Sequence, residues 1–157
     1  MKQIALTTLA VLAATSAYAQ LPNPYGASVT LDQAKKIAAL SVAEAAKNNW
    51  KMAVAIVDVA GDLVYFEKMD GTQVASVNIA QDKARSSVRF KRPTKAMQDV
   101  LAQGGAGVRF LALQGAIPVE GGLPLLIDGK IVGAIGASGG TSDQDGLAAK
   151  AGADSVK

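Results

Sequence analysis

The chain has 157 residues, half of them hydrophobic, with a net charge of +3 and neither histidine nor cysteine. Lacking histidine, it has no imidazole base, no Ser-His-Asp triad and no imidazole ligand for zinc or haem. Lacking cysteine, it has no disulfide, no zinc–thiolate site and no iron–sulfur cluster. The charge is too small to argue for nucleic acid as a partner.

Lys2 precedes an apolar run from Ile4 to Ala14, and Ala17-Tyr18-Ala19 has the form of a cleavage site. This pattern predicts a signal peptide over residues 1–19 and a periplasmic or secreted protein. The apolar run is too short to span a bilayer and no later one reaches 18 residues, so a membrane-spanning chain is not expected. Pro22, Pro24 and Gly26 predict an extended leader over residues 20–29, followed by a single domain over 30–157.

Thr30 reads as an N-cap for a helix from Leu31 to Lys47, whose Leu31, Ala34, Ile37/Ala38, Ser41/Val42 and Ala45 form one face; Asn48-Asn49 end it. Met52 to Val59 and Leu63 to Met69 are β-rich runs joined by Ala60-Gly61-Asp62, a predicted hairpin. Val74 to Phe90 follows as a helix, with Val74, Val77, Gln81, Ala84 and Val88 on one line. Arg92-Pro93 interrupts it, because the residue before proline resists the helical region. Thr94 is the expected cap of a helix to Gln103, and Val108 to Leu113 is one more helical turn or two. Asp128-Gly129 lies between two apolar runs and predicts a second hairpin, since the favoured turn needs positive φ. A helix from Thr141 or Ser142 to Ala153 closes the chain. Helices grouped between hairpin-linked strands predict an α+β domain with an antiparallel sheet. The first and last helices are expected on one face, with the middle helices on the other.

Three features could carry chemistry. Gly136-Ala137-Ser138-Gly139-Gly140 spells a nucleophile elbow, G-x-S-x-G, at a strand-to-helix turn. Its serine has no histidine base, so the glycines read as places of close backbone approach instead. No lysine follows them in the order a phosphate loop needs. Lys83, Arg85, Arg89, Lys91, Arg92 and Lys95 are six cations with only Asp82 and Asp99 among them. They suit either a helix C-terminus or an anion receptor for the carboxylates or phosphates of a small ligand. Hard oxygen ligands are available at Asp58, Asp62, Glu67, Asp70, Asp143 and Asp145, although Asp143-Gln144-Asp145 falls short of a calcium loop. Haem iron could be met by Met69, Met97, Tyr25, Tyr65, a lysine or, weakly, a threonine.

Several blocks in order, LDQAKKIAALSVAEAAKNNW, VAIVDVAGDLVYFEKMDGTQVASVNIAQDKA, FKRPT and GGLPLLIDGKIVGAIGASGGTSDQD, resemble the GlcG/HbpS haem-binding family. The same domain forms the C-terminus of PduO-type proteins. The resemblance runs from about Thr30 to Ala153. It implies a profilin-like α/β/α sandwich around a five-stranded antiparallel sheet, homo-oligomers from dimer to octamer, and haem or a related tetrapyrrole as the small-molecule ligand. Its D-K-A block falls on Asp82 to Ala84 and its R-P-T block on Arg92 to Thr94. The G-G-x-P block falls on Gly121 to Pro124, and the S-G-G-T block on Ser138 to Thr141. The implied ligand site has Lys83 and Arg92 meeting acidic groups and Thr94 at the pocket as a weak iron ligand. Gly121, Gly122, Ser138, Gly139 and Gly140 line it with backbone. Without histidine, the other expectation is binding through ring burial and propionate contacts. Two readings from other classes remain: an enzyme using Lys83 as base or electrophile on a small acid or carbonyl substrate, and a structural oligomerisation module.

Overall fold

The computed structural model describes residues 23–156; the expected signal peptide and the first leader residues lie outside them. Four α-helices, α1 (Leu31–Lys47), α2 (Ser76–Phe90), α3 (Thr94–Ala102) and α4 (Ser142–Ala153), accompany strands β1 (Ala53–Val57), β2 (Leu63–Lys68), β3 (Gly122–Ile127) and β4 (Lys130–Ser138). A 3-10 helix spans Gly105–Ala112, where one or two helical turns were expected. The strands form one antiparallel sheet in the order β2-β1-β4-β3. The expected five-stranded sheet is thus corrected to four. In place of a fifth strand, the leader makes one isolated parallel bridge, between Tyr25 and Ile131.

Local chemistry sets most of the boundaries. Thr30 and Thr141 each close a reciprocal capping box with the glutamine three residues on, Gln33 and Gln144. At the second hairpin Asp128 and Gly129 take φ of 50° and 70°, the positive pair that matches strand twist. Thr94 departs from its expected role. Proline at 93 takes the cap position with no side-chain hydrogen bond, and Thr94 becomes the buried first residue of α3.

All five residues of β1 are buried, because both faces of the sheet are covered. Val54, Ile56, Ile135 and Ala137 pack against α1 and α4, with Ile37, Ala38, Ala148 and Ala149. Ala53, Ala55, Val57 and Ala134 pack against α2 through Ala80, Ala84 and Val88. In β4 a bulge interrupts the alternation. Leu125 pairs with Gly133 and Leu126 with Ile131, so Val132 is the extra residue. The bulge restores Ile135 and Ala137 to the α1/α4 side after Ile131 has faced α2.

The sheet-facing line of α2 differs from the expected one. Ser76, Ala80, Lys83, Ala84, Ser87 and Val88 are buried, whereas Val74 lies before the helix and is almost fully exposed. The reason is distance: α2 runs so close to β4 that small residues are required. A Cβ at Gly136 would lie 2.0 Å from the Ala80 carbonyl oxygen. Gly136→Ala is therefore expected to cost about 3 kcal/mol or more, by forcing α2 off the sheet. Gly129→Asn, where a Cβ meets nothing within 4 Å and asparagine tolerates positive φ, should cost less than about 1 kcal/mol. Urea midpoints of the two variants, with unchanged slope, measure the contrast.

Candidate functional site

Close packing of α2 carries Lys83 into the interior, where it is 1% exposed. An ammonium there needs a counter-charge and acceptors. It has both. Its Nζ donates to Asp145 Oδ2 at 2.7 Å and to the Ala137 carbonyl at 3.2 Å. Asp145 comes from the first turns of α4 and is 4% exposed; its Oδ1 accepts from the Gly140 N–H at 2.9 Å. Burial pushes the Asp145 carboxyl above its usual range, against the pull of Lys83 and the N–H groups of Gly140 and Gly139. The pair thus joins α2, the end of β4 and the start of α4 at one point.

Two glycines make room for it. A Cβ at Gly121 would lie 2.9 Å from both Lys83 Nζ and Asp145 Cβ, and one at Gly122 would lie 2.4 Å from the Lys83 carbonyl oxygen. Gly122 is also held from α3: its N–H donates to Thr94 Oγ1 at 2.9 Å. Ser138, at the end of β4, is buried and donates to Ser76 Oγ at 3.1 Å.

The structure therefore brings Lys83, Thr94, Gly121, Gly122, Gly139 and Gly140 into one neighbourhood, with Ser138 at its edge. It brings them together as an interior lock: the Thr94 hydroxyl is spent on Gly122 and the Lys83 amine on Asp145 and Ala137. Arg92 is elsewhere. It is exposed, its Nε donating to the Phe90 carbonyl at 3.0 Å. The six-cation group is likewise dispersed. Arg85 pairs with Asp82 and Lys95 with Asp99, while Lys91 lies 4.2 Å above the Tyr25 ring. Arg89 lies against the backbone at Gly61. Among the described residues no group of three or more aspartates and glutamates is placed to hold a metal ion, and no helix is long and apolar enough to cross a membrane.

Two residues of this region gave little signal in sequence. In sequence Asp145 is one of six candidate oxygen ligands, and only the burial of Lys83 marks it as that lysine's partner. Glu120, just before the glycine pair, has an Oε2 with no hydrogen-bond partner, and Lys95 Nζ is 3.7 Å from it. Its Oε1 would lie 2.3 Å from a Cβ at Gly146, so the carboxyl rests on α4 where only glycine fits. Burial pushes the Glu120 carboxyl above its usual range, opposed by Lys95 and reinforced by Asp143 and Asp99.

The surface nearby is open. β3 is an edge strand, and Leu123, Pro124 and Leu126 form a cleft of about 340 Å³ with Pro93 and with Lys150, Ala153, Asp154 and Val156 at the end of α4. Its walls are mainly apolar, and Lys150 pairs with Asp154 at the rim. A second cleft of about 360 Å³ lies between the leader, the start of α1 and the β3–β4 turn, lined by Ser28, Thr30, Gln33, Asp128 and Lys130 among others. Lys83 and Thr94 line neither.

Residues 29–154 match the family described as "Haem degrading protein HbpS-like". The chain belongs to the HbpS-like family. It is 37% identical to Protein GlcG of Escherichia coli (strain K12) over 105 residues, 67% of this chain and 77% of that protein. The crystal structure of HbpS superposes with a TM-score of 0.77 at 30% identity, over 84% of this chain and 92% of that one. The structure of a PduOC:heme complex superposes with a TM-score of 0.75 at 25% identity, covering 83% of this chain and 96% of the other. This HbpS-like chain keeps the lysine, threonine and glycine blocks of its sequence in one place, and uses them to hold the start of β3.

Removing one half of the buried pair should be far worse than removing both. Lys83→Met leaves a buried carboxylate without its cation and should cost about 3–5 kcal/mol, whereas Lys83→Met with Asp145→Leu should recover most of that loss in urea unfolding. Glu120 gives a pH test. A carboxyl whose folded pKa lies above its unfolded value, near 4.5, makes stability fall as pH rises through the folded value. Glu120→Gln should therefore be more stable than the parent at pH 7, and the gain should vanish as pH falls below about 4.5.

Proposed function

We propose that this chain binds haem or a related tetrapyrrole, with the ring resting in the apolar cleft along β3. The observation that carries the reading is the likeness to the haem complex of PduOC over nearly the whole of that chain. The cleft supports it chemically. Pro93, Leu123, Pro124, Leu126, Ala153 and Val156 offer a wall for a flat apolar ring. Lys150 lines the cleft, paired with Asp154, and exposed Arg92 directly precedes Pro93 in the chain. A ring carboxylate would compete with Asp154 for the first and draw the second from the Phe90 carbonyl.

The fit to the iron is different. None of the cleft's lining residues is a histidine, cysteine, methionine or tyrosine, the usual axial ligands. Binding in this chain then rests on ring burial and carboxylate contacts. Lys83, Thr94, Gly121 and Gly122 act as positioning residues: they hold the residues from which Leu123 and Pro124 project. The enzyme reading gains nothing from the geometry, because the Lys83 amine is enclosed and bonded to Asp145 and the Ala137 carbonyl. Export after cleavage near Ala19 and assembly into homo-oligomers complete the proposal. The Ala17-Tyr18-Ala19 pattern supports the first. The apolar surface at Val108, Leu111 and Leu113 supports the second.

Titration of the purified protein with micromolar haem should shift the Soret band; no shift sinks the proposal. Leu126→Glu should weaken binding by at least about tenfold. Arg92→Ala with Lys150→Ala should weaken haem but leave the affinity for its dimethyl ester unchanged, because the ester has no carboxylates to meet.

A further inference from the structure

We propose that residues 23–29 are a releasable strap over an edge of β4, and that this edge accepts the same segment of a second copy when the strap lifts. β1 ends at Val57, opposite Ala134, so β4 from Lys130 to Gly133 has no strand on the side away from β3. Unpaired main-chain groups at such an edge recruit any extended chain that reaches them. The leader fills the gap. The Ile131 N–H donates to the Pro24 carbonyl at 2.8 Å, the Gly26 N–H to the Ile131 carbonyl at 2.8 Å, and the Val29 N–H to the Val132 carbonyl at 2.7 Å.

The attachments outside the main chain are few and lie at the surface. The Tyr25 hydroxyl donates to the Val88 carbonyl at 2.9 Å, while its ring is 42% exposed beneath Lys91. Asn23 Nδ2 donates to the Gly129 carbonyl at 3.0 Å, also exposed. Of residues 23–29 only Val29 is buried. Segments with few buried contacts and exposed hydrogen bonds open well below the cost of global unfolding. Once open, the edge offers the same ladder groups and the same tyrosine seat to a strand from outside, which is recognition by strand addition. The occupant that matches every one of these contacts is the segment Asn23 to Val29 itself, so a second copy is the partner. Lifting the strap also removes Gly26, Ala27 and Ser28 as one wall of the 360 Å³ cleft.

Hydrogen exchange on the whole chain tests this. In the parent, the Ile131 amide should exchange at least about tenfold faster than the amides of β1. Tyr25→Ala should speed Ile131 by about tenfold again and leave β1 unchanged. A synthetic peptide of residues 23–29 at millimolar concentration should slow Ile131 in that variant. If Tyr25→Ala does not fold, Asn23→Ala with Lys91→Ala loosens the same strap from its outer contacts and takes the same readout. Ile131 exchanging at the β1 rate in parent and variant, or a peptide without effect on the variant, would overturn the proposal.

Discussion

The buried ammonium of Lys83 constrains more of this molecule than any other group. It sits on the sheet-facing side of α2, yet its counter-ion belongs to α4, which packs on the opposite face. The bond between them is made at the end of β4, where Ala137 also accepts from the amine. One interaction thereby ties together both helical layers and the strand between them. Breaking it would strand a charge in the interior, which is why the surrounding backbone conforms to it rather than the reverse.

The glycines follow from that constraint. Gly121 has no side chain because the amine and the aspartate occupy that volume, and Gly122 has none because the Lys83 backbone and Thr94 lie against it. Gly136 serves the same end one step earlier, letting α2 come near enough for Lys83 to reach across. What looked like a catalytic elbow around Ser138 is the exit of the strand that receives the lysine. Its serine finishes in a hydrogen bond to Ser76, inside the fold.

The consequence for function is a division of labour. The lysine, threonine and glycine blocks hold the start of β3, and the open apolar surface lies just beyond, on Leu123, Pro124 and Leu126. An interior lock beside an edge strand fixes the shape of that apolar surface in advance of anything that rests on it.

The sequence alone determined the helix and strand order, the turn at Asp128-Gly129 and the cap at Thr30. Each of these is set by neighbours a few residues apart, through periodicity, turn geometry or a reciprocal cap. It also brought the lysine, threonine and glycine blocks forward as one group. Tertiary structure decided what they do. Whether a lysine is a ligand contact or half of a buried pair depends on Asp145, 62 positions away in sequence, which no local pattern marks. Whether Thr94 caps its helix or holds Gly122 depends on how close β3 comes to α3. The number of strands was settled the same way. The leader meets β4 only where β1 has run out, a matter of strand length and register that separate segments of sequence cannot express.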